Sequence, residues 1–114
     1  MYIAAYIFKR KPGMSLEDFL DYYEHQHGPC MVELLKDKGL ISYEHYPVRA
    51  VNEGDIYVPE EGPAYDALSI YVFTSAEAAK EAWGIPELVT DSQNFIDFDS
   101  MHMLPLNKRT VFTS

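Results

Sequence analysis

The order in which strand-like and helix-like stretches follow one another constrains this chain most. The opening "YIAAYIFK", residues 2–9, is short, apolar and rich in β-formers, and Lys11-Pro12-Gly13 closes it. "SLEDFLDYYEHQH" then places Leu16, Phe19, Leu20, Tyr23 and His27 at helical spacing. Ser15 is set to cap that helix, with Asp18 three residues on. Gly28-Pro29 is expected to break or kink it, and Pro29 to open a second stretch, "PCMVELLKDKG", that stops at Gly39. "LISYEHYPVRAV" alternates, with Ile41, Tyr43 and His45 on one face and Ser42, Glu44 and Tyr46 on the other. Pro47 marks this strand as an edge or a bulge.

A loop rich in Gly, Pro and acid covers residues 52–65, long enough in so small a domain to suggest a lid. "DALSIYVFTS" follows as a third strand, with Leu68, Ile70 and Val72 on one face. Thr74 and Glu77 form a second capping box, opening the helix "SAEAAKEAWG". "IPELVTDSQNFIDF" holds a short helical turn or two, and "SMHMLPLNKRTVF" is the last strand. The order β-α-β-β-α-β predicts an α+β, ferredoxin-like fold: a four-stranded antiparallel sheet with the helices on one face. The 114 residues fit one domain, 1–114. The other sheet face would be bare in a monomer, so a homodimer is expected.

Charge and cysteine content narrow the partners. The net charge is −9, from 18 acidic and 9 basic residues. Such a surface repels phosphate, so neither nucleic acid nor a membrane is an expected partner. Cys30 is the single cysteine, so no internal disulfide can form and a reducing, cytoplasmic setting is expected. The opening residues lack the pattern of a signal peptide, and no apolar run approaches the ~20 residues of a membrane span. Aromatic residues make up 14% of the chain, which suits either a tyrosine-rich core or a pocket for a flat phenolic ligand.

The histidines in "DYYEHQHGPC" separate on a helical wheel. With Phe19 at zero, His27 falls at roughly 80°, inside the apolar stripe, and His25 at roughly 240°, in water. Cys30 falls on the inner side at roughly 20°, where a buried thiol is inert. His25 and His27 point to different sides and cannot share an ion, and no cysteine–histidine cluster exists elsewhere, so no metal site is expected. No glycine-rich phosphate loop is present. A buried His27 needs a hydrogen-bond partner, and burial favours its neutral, proton-accepting form.

"KRKPGMSLEDFLDYYEHQHGPCM" resembles the opening of the EthD-like family within the dimeric α/β-barrel superfamily. The matching residues are Lys9-Arg10, Gly13-Met14-Ser15, Phe19, Tyr22-Tyr23 and His27-Gly28-Pro29. "FIDFDSM", with Phe95, Asp97 and Met101, is reminiscent of members from fungal polyketide pathways. The resemblance implies a pocket between helix and sheet whose polar residue is His27. It also implies cofactor-free chemistry on an aromatic polyketide: a lyase (decarboxylase or dehydratase/cyclase) of secondary metabolism, an anthrone-type monooxygenase, or a non-catalytic carrier of a hydrophobic ligand. Such a reaction needs a base, an oxyanion donor and a dry cavity. His27, Tyr43 and His45 are the expected catalytic residues. Tyr6, Phe19, Tyr23, Tyr71, Trp83, Met101 and His102 are the expected substrate-binding ones.

Overall fold

The computed structural model describes residues 1–49 and 63–114. The lid expected over residues 52–65 falls almost wholly outside them. The elements are β1 (Tyr2–Arg10), α1 (Leu16–Tyr22), a π-helical turn (Tyr23–His27), α2 (Gly28–Leu35), β2 (Leu40–Pro47), β3 (Ala67–Phe73), α3 (Ala76–Ala82), α4 (Pro86–Gln93) and β4 (Ile96–Leu106). The strands form one antiparallel sheet in the order β2-β3-β1-β4. This is the ferredoxin-like arrangement, with β2 and β4 at the edges.

The helical segment bends without breaking at Gly28-Pro29. Pro29 has no N–H to give and its ring crowds the carbonyl four residues back, so a regular α-turn cannot form there. The chain widens by one residue instead, and the Gly28 N–H bonds to the Tyr23 carbonyl, five residues earlier. Ser15 Oγ accepts from the Asp18 N–H at 3.0 Å, capping α1. Ser75, not Thr74, caps α3, accepting from the Ala78 N–H at 3.1 Å. The Thr74 N–H is already committed to the Gly39 carbonyl at 2.8 Å.

Register decides which side chains meet the helices. Tyr6 and Phe8 of β1, Ala67, Ser69, Tyr71 and Phe73 of β3, and Phe95 and Ile96 before and at the start of β4 are buried. Phe8, Phe19, Tyr23 and Phe95 form a knot of rings with centroids 5.5–6.1 Å apart. Each pair adds about 0.5–1.5 kcal/mol beyond its burial. Leu68, Ile70 and Val72 alternate onto the helix-free face, where they are only partly covered. Leu104 and Leu106 pair with Ala5 and Ile3 and lie there too, 46% and 42% exposed. In β2 a register shift between Leu40 and Ser42 turns Ile41 out to solvent, away from the face of Tyr43 and His45 where strict alternation puts it.

Gly39 ends the α2 segment at φ +87°. A Cβ there would stand 2.7 Å from Thr74 Oγ1 and 3.0 Å from the Ala78 Cβ, whereas at Gly13 (φ +84°) it would meet nothing. Gly13→Ala is expected to cost about 1 kcal/mol through its backbone alone. Gly39→Ala, which adds the clash, is expected to cost more than about 2 kcal/mol. Thermal unfolding of the two variants checks the ranking, and equal losses would show that the Gly39–Thr74 packing is loose.

Candidate active site

His27 is buried at the C-terminal end of the π-helical turn, while His25 on the same turn is exposed. The His27 Nδ1 lies 2.7 Å from Asp91 Oδ2, on α4. The other Asp91 oxygen accepts from the Tyr22 hydroxyl at 2.7 Å, and Asn94 Nδ2 donates to Tyr22 at 2.9 Å. The carboxylate accepts, so Nδ1 carries the imidazole hydrogen and Nε2 the lone pair. Nε2 has no hydrogen-bond partner among the described residues, yet no buried side-chain nitrogen or oxygen there lacks one. Nε2 is therefore the ring atom that the protein leaves unsealed, and His27 lines the adjoining cavity. Burial pushes the His27 pKa below its ordinary 6.5, against the opposing pull of Asp91.

That cavity lies between sheet and helices and is lined by His27, Tyr6, Phe8, Ser69, Tyr71, Trp83, Leu88, Ser92 and Met101, among others. Its volume is about 30 Å³, room for one or two waters. The indole N–H of Trp83 donates to the Tyr6 hydroxyl at 2.5 Å, and their rings lie 5.4 Å apart. Both residues also line a second cavity of about 240 Å³, shared with Tyr2, Lys80 and Met103. The Tyr6–Trp83 pair is thus a common wall of the two spaces.

A second polar cluster sits behind Tyr71. Tyr43 stacks on Tyr71 with centroids 4.3 Å apart, and its hydroxyl meets His45 Nε2 at 2.5 Å. The His45 ring stacks on Tyr23 at 3.8 Å and lies over Gly28, where a Cβ would stand 3.1 Å from its Cε1. Burial, helped by His27, pushes the His45 pKa down to about 4. Tyr23 is pushed up to about 12 by burial, and its hydroxyl bonds to Ser69 Oγ at 2.6 Å. Burial also raises Tyr43 and Tyr71, so all three phenols stay protonated.

Of the residues singled out from sequence, His27, Tyr6, Tyr71, Trp83 and Met101 share the cavity wall. Phe19 and Tyr23 are packed into the ring knot and do not line it. Tyr43 and His45 stand one ring further back. His102 pairs across from Ile7 and so projects from the helix-free face, near Tyr65, away from His27. Cys30 is partly covered, and its thiol is pushed up by burial and by the acids Asp91 and Glu87, which keeps it inert. Sequence reasoning missed Asp91, Tyr22, Asn94, Ser69 and Ser92. The polar "TDSQN" on a helix facing a buried histidine was the available signal for Asp91. Among the described residues no group of three or more His, Cys, Asp or Glu could hold a metal ion. No described helix is long and apolar enough to cross a membrane.

Three solved structures show how general this frame is. An EthD family protein from Bacillus halodurans superposes with a TM-score of 0.66 at 12% identity, over 96% of this chain and 100% of that one. A dimeric ferredoxin-like protein of unknown function from Jannaschia superposes with a TM-score of 0.66 at 13% identity, over 94% and 98%. SnoaB, a cofactor-independent oxygenase from Streptomyces nogalater, superposes with a TM-score of 0.63 at 9% identity, over 99% and 97%. At such identities these likenesses establish the fold. No curated protein matches the chain. The EthD domain, however, matches residues 11–99, a stretch that carries His27, the π-helical turn and Asp91, and the chain belongs to the EthD domain family.

Proposed function

We propose that the protein is a cofactor-free enzyme that moves a proton on a phenolic, polyketide-type aromatic substrate, most simply as a lyase. The observation that carries this reading is the 2.7 Å contact between His27 Nδ1 and Asp91, which leaves Nε2 unpaired on a residue that lines an aromatic-walled cavity. Asp91 fixes the tautomer and orientation of the imidazole, and Nε2 is the base. In a dehydration Nε2 takes a proton from carbon and returns it to the departing hydroxyl, which leaves as water. In a decarboxylation Nε2 takes the proton of the substrate's carboxylic acid and delivers it to the carbon that loses CO2. In both, the substrate's own ring spreads the intermediate charge, so no cofactor is needed.

A second reading, an anthrone-type monooxygenase, is supported by the likeness to SnoaB. On this reading the carbanion made by the same base adds O2, one oxygen stays as the new carbonyl and the other leaves with the two hydrogens as water. The two readings share His27 and differ in product. Mass analysis after incubation with aromatic polyketide intermediates separates them: loss of CO2 or water marks a lyase, and exchange of two hydrogens for one oxygen, with oxygen uptake, marks the oxygenase. Binding without turnover would instead mark a carrier. In each case we infer a homodimer through the helix-free face of Ile70, Leu104 and Leu106, in keeping with the dimeric relative from Jannaschia.

His27→Ala is expected to lower kcat at least about 100-fold while the melting transition survives. Asp91→Asn is expected to lower kcat as well, because Nδ1–H loses its carboxylate. Desolvation disfavours the imidazolium, so the acid limb of kcat/KM is expected below pH 6.5, with activity flat through neutrality. Removing the Asp91 charge should move that limb lower still. A wild-type limb at or above 6.5 would remove His27 as the base. Ile70→Asp is expected to shift sedimentation from dimer to monomer, and an unchanged sedimentation coefficient would place the interface elsewhere.

A further inference from the structure

Hydrogen-bond bookkeeping separates the tyrosines of the site. The Tyr22 hydroxyl gives its hydrogen to Asp91. Tyr23 is engaged with Ser69 and the Leu68 carbonyl. Tyr43 is engaged with His45, and the Tyr71 ring is stacked on that of Tyr43. Tyr6 differs. Its partner is the indole N–H of Trp83, a group that only donates, so the Tyr6 oxygen accepts. The Tyr6 hydrogen then has no acceptor among the described residues. Tyr6 is buried and lies on the wall of both cavities, so that hydrogen is directed at whatever occupies them.

We propose that Tyr6 is the donor to the substrate's phenolic or enolate oxygen, with Trp83 as the residue that positions it. This rests on the reading of the cleft as a site for a phenolic substrate and adds the group that recognises its oxygen. Accepting from Trp83 polarises the Tyr6 O–H and fixes its rotation, so the donor is preset before ligand arrives. The central cavity, at about 30 Å³, has room for a water or two but not for a ring. The larger space beyond the pair, walled by Tyr2 and Met103 with Lys80 at hand, has room for a ring whose oxygen reaches Tyr6. The donor thus marks the oxygen end of the substrate, and His27 lines the smaller space on the other side of the same Tyr6–Trp83 wall.

The test compares 4-nitrophenolate with its uncharged ether, 4-nitroanisole, by isothermal titration of the intact protein at a pH where the phenol is ionised. The wild-type protein, despite its net charge of −9, is expected to bind the phenolate roughly tenfold more tightly than the ether. Tyr6→Phe should erase that preference and leave ether binding unchanged. Trp83→Phe should reduce it part-way, again without loss for the ether, a split that damaged packing would not produce. His27→Gln should keep it. Preference lost in His27→Gln but kept in Tyr6→Phe would overturn the assignment of Tyr6 and leave His27 standing. A wild-type protein that binds neither probe would overturn both this assignment and the reading of the cleft as a phenol site.

Discussion

The contact between His27 and Asp91 ties together the parts of this structure that bear on chemistry. It joins the π-helical turn to α4 across 64 residues of chain, and it does so inside the protein, where an unpaired imidazole N–H would be costly. Asp91 in turn is held by Tyr22, and Tyr22 by Asn94, so the carboxylate is fixed from both sides. A histidine pushed toward its neutral form by burial, oriented by a carboxylate and unpaired at one nitrogen has the form of the general base proposed above.

The geometry follows from one local conflict. Pro29 forbids a regular turn, and the widened turn that results sets His27 at its end and Gly28 beneath the His45 side chain of β2. The missing side chain at Gly28 lets His45 lie flat on Tyr23. That stack closes one side of the site with rings, so the polar groups there are few and each has a defined partner. The result is a small space with room for a water or two, lined by a histidine with one unpaired nitrogen and by one uncommitted phenol hydrogen. On the reading proposed above, that is the minimum a self-delocalising substrate requires.

Much of this was legible in the residues, for reasons that can be stated one by one. The helical period put His27 on the apolar stripe and His25 in water, and both lie so. The order of strand and helix patterns yielded the ferredoxin-like sheet. What failed was information that sequence spacing does not hold. Both faces of β3 are apolar, so alternation could not say whether Leu68, Ile70 and Val72 or Ser69, Tyr71 and Phe73 faced the helices. The same ambiguity hid that His102 points away from His27. Ile41 left its face because a bulge adds one residue, a backbone event that no side chain announces. Asp91 was invisible because its partner lies far away in the chain and the two meet only once α4 docks on the helical turn.

The central claim is a neutral His27 whose Nδ1–H is given to Asp91. Nitrogen and proton NMR of the labelled imidazole, followed against pH, tests it most directly. The account predicts an Nδ1–H tautomer with a slowly exchanging, strongly deshielded proton, titrating below the ordinary value of 6.5. An Nε2–H tautomer, or a ring that titrates at or above 6.5 like one in water, would contradict it.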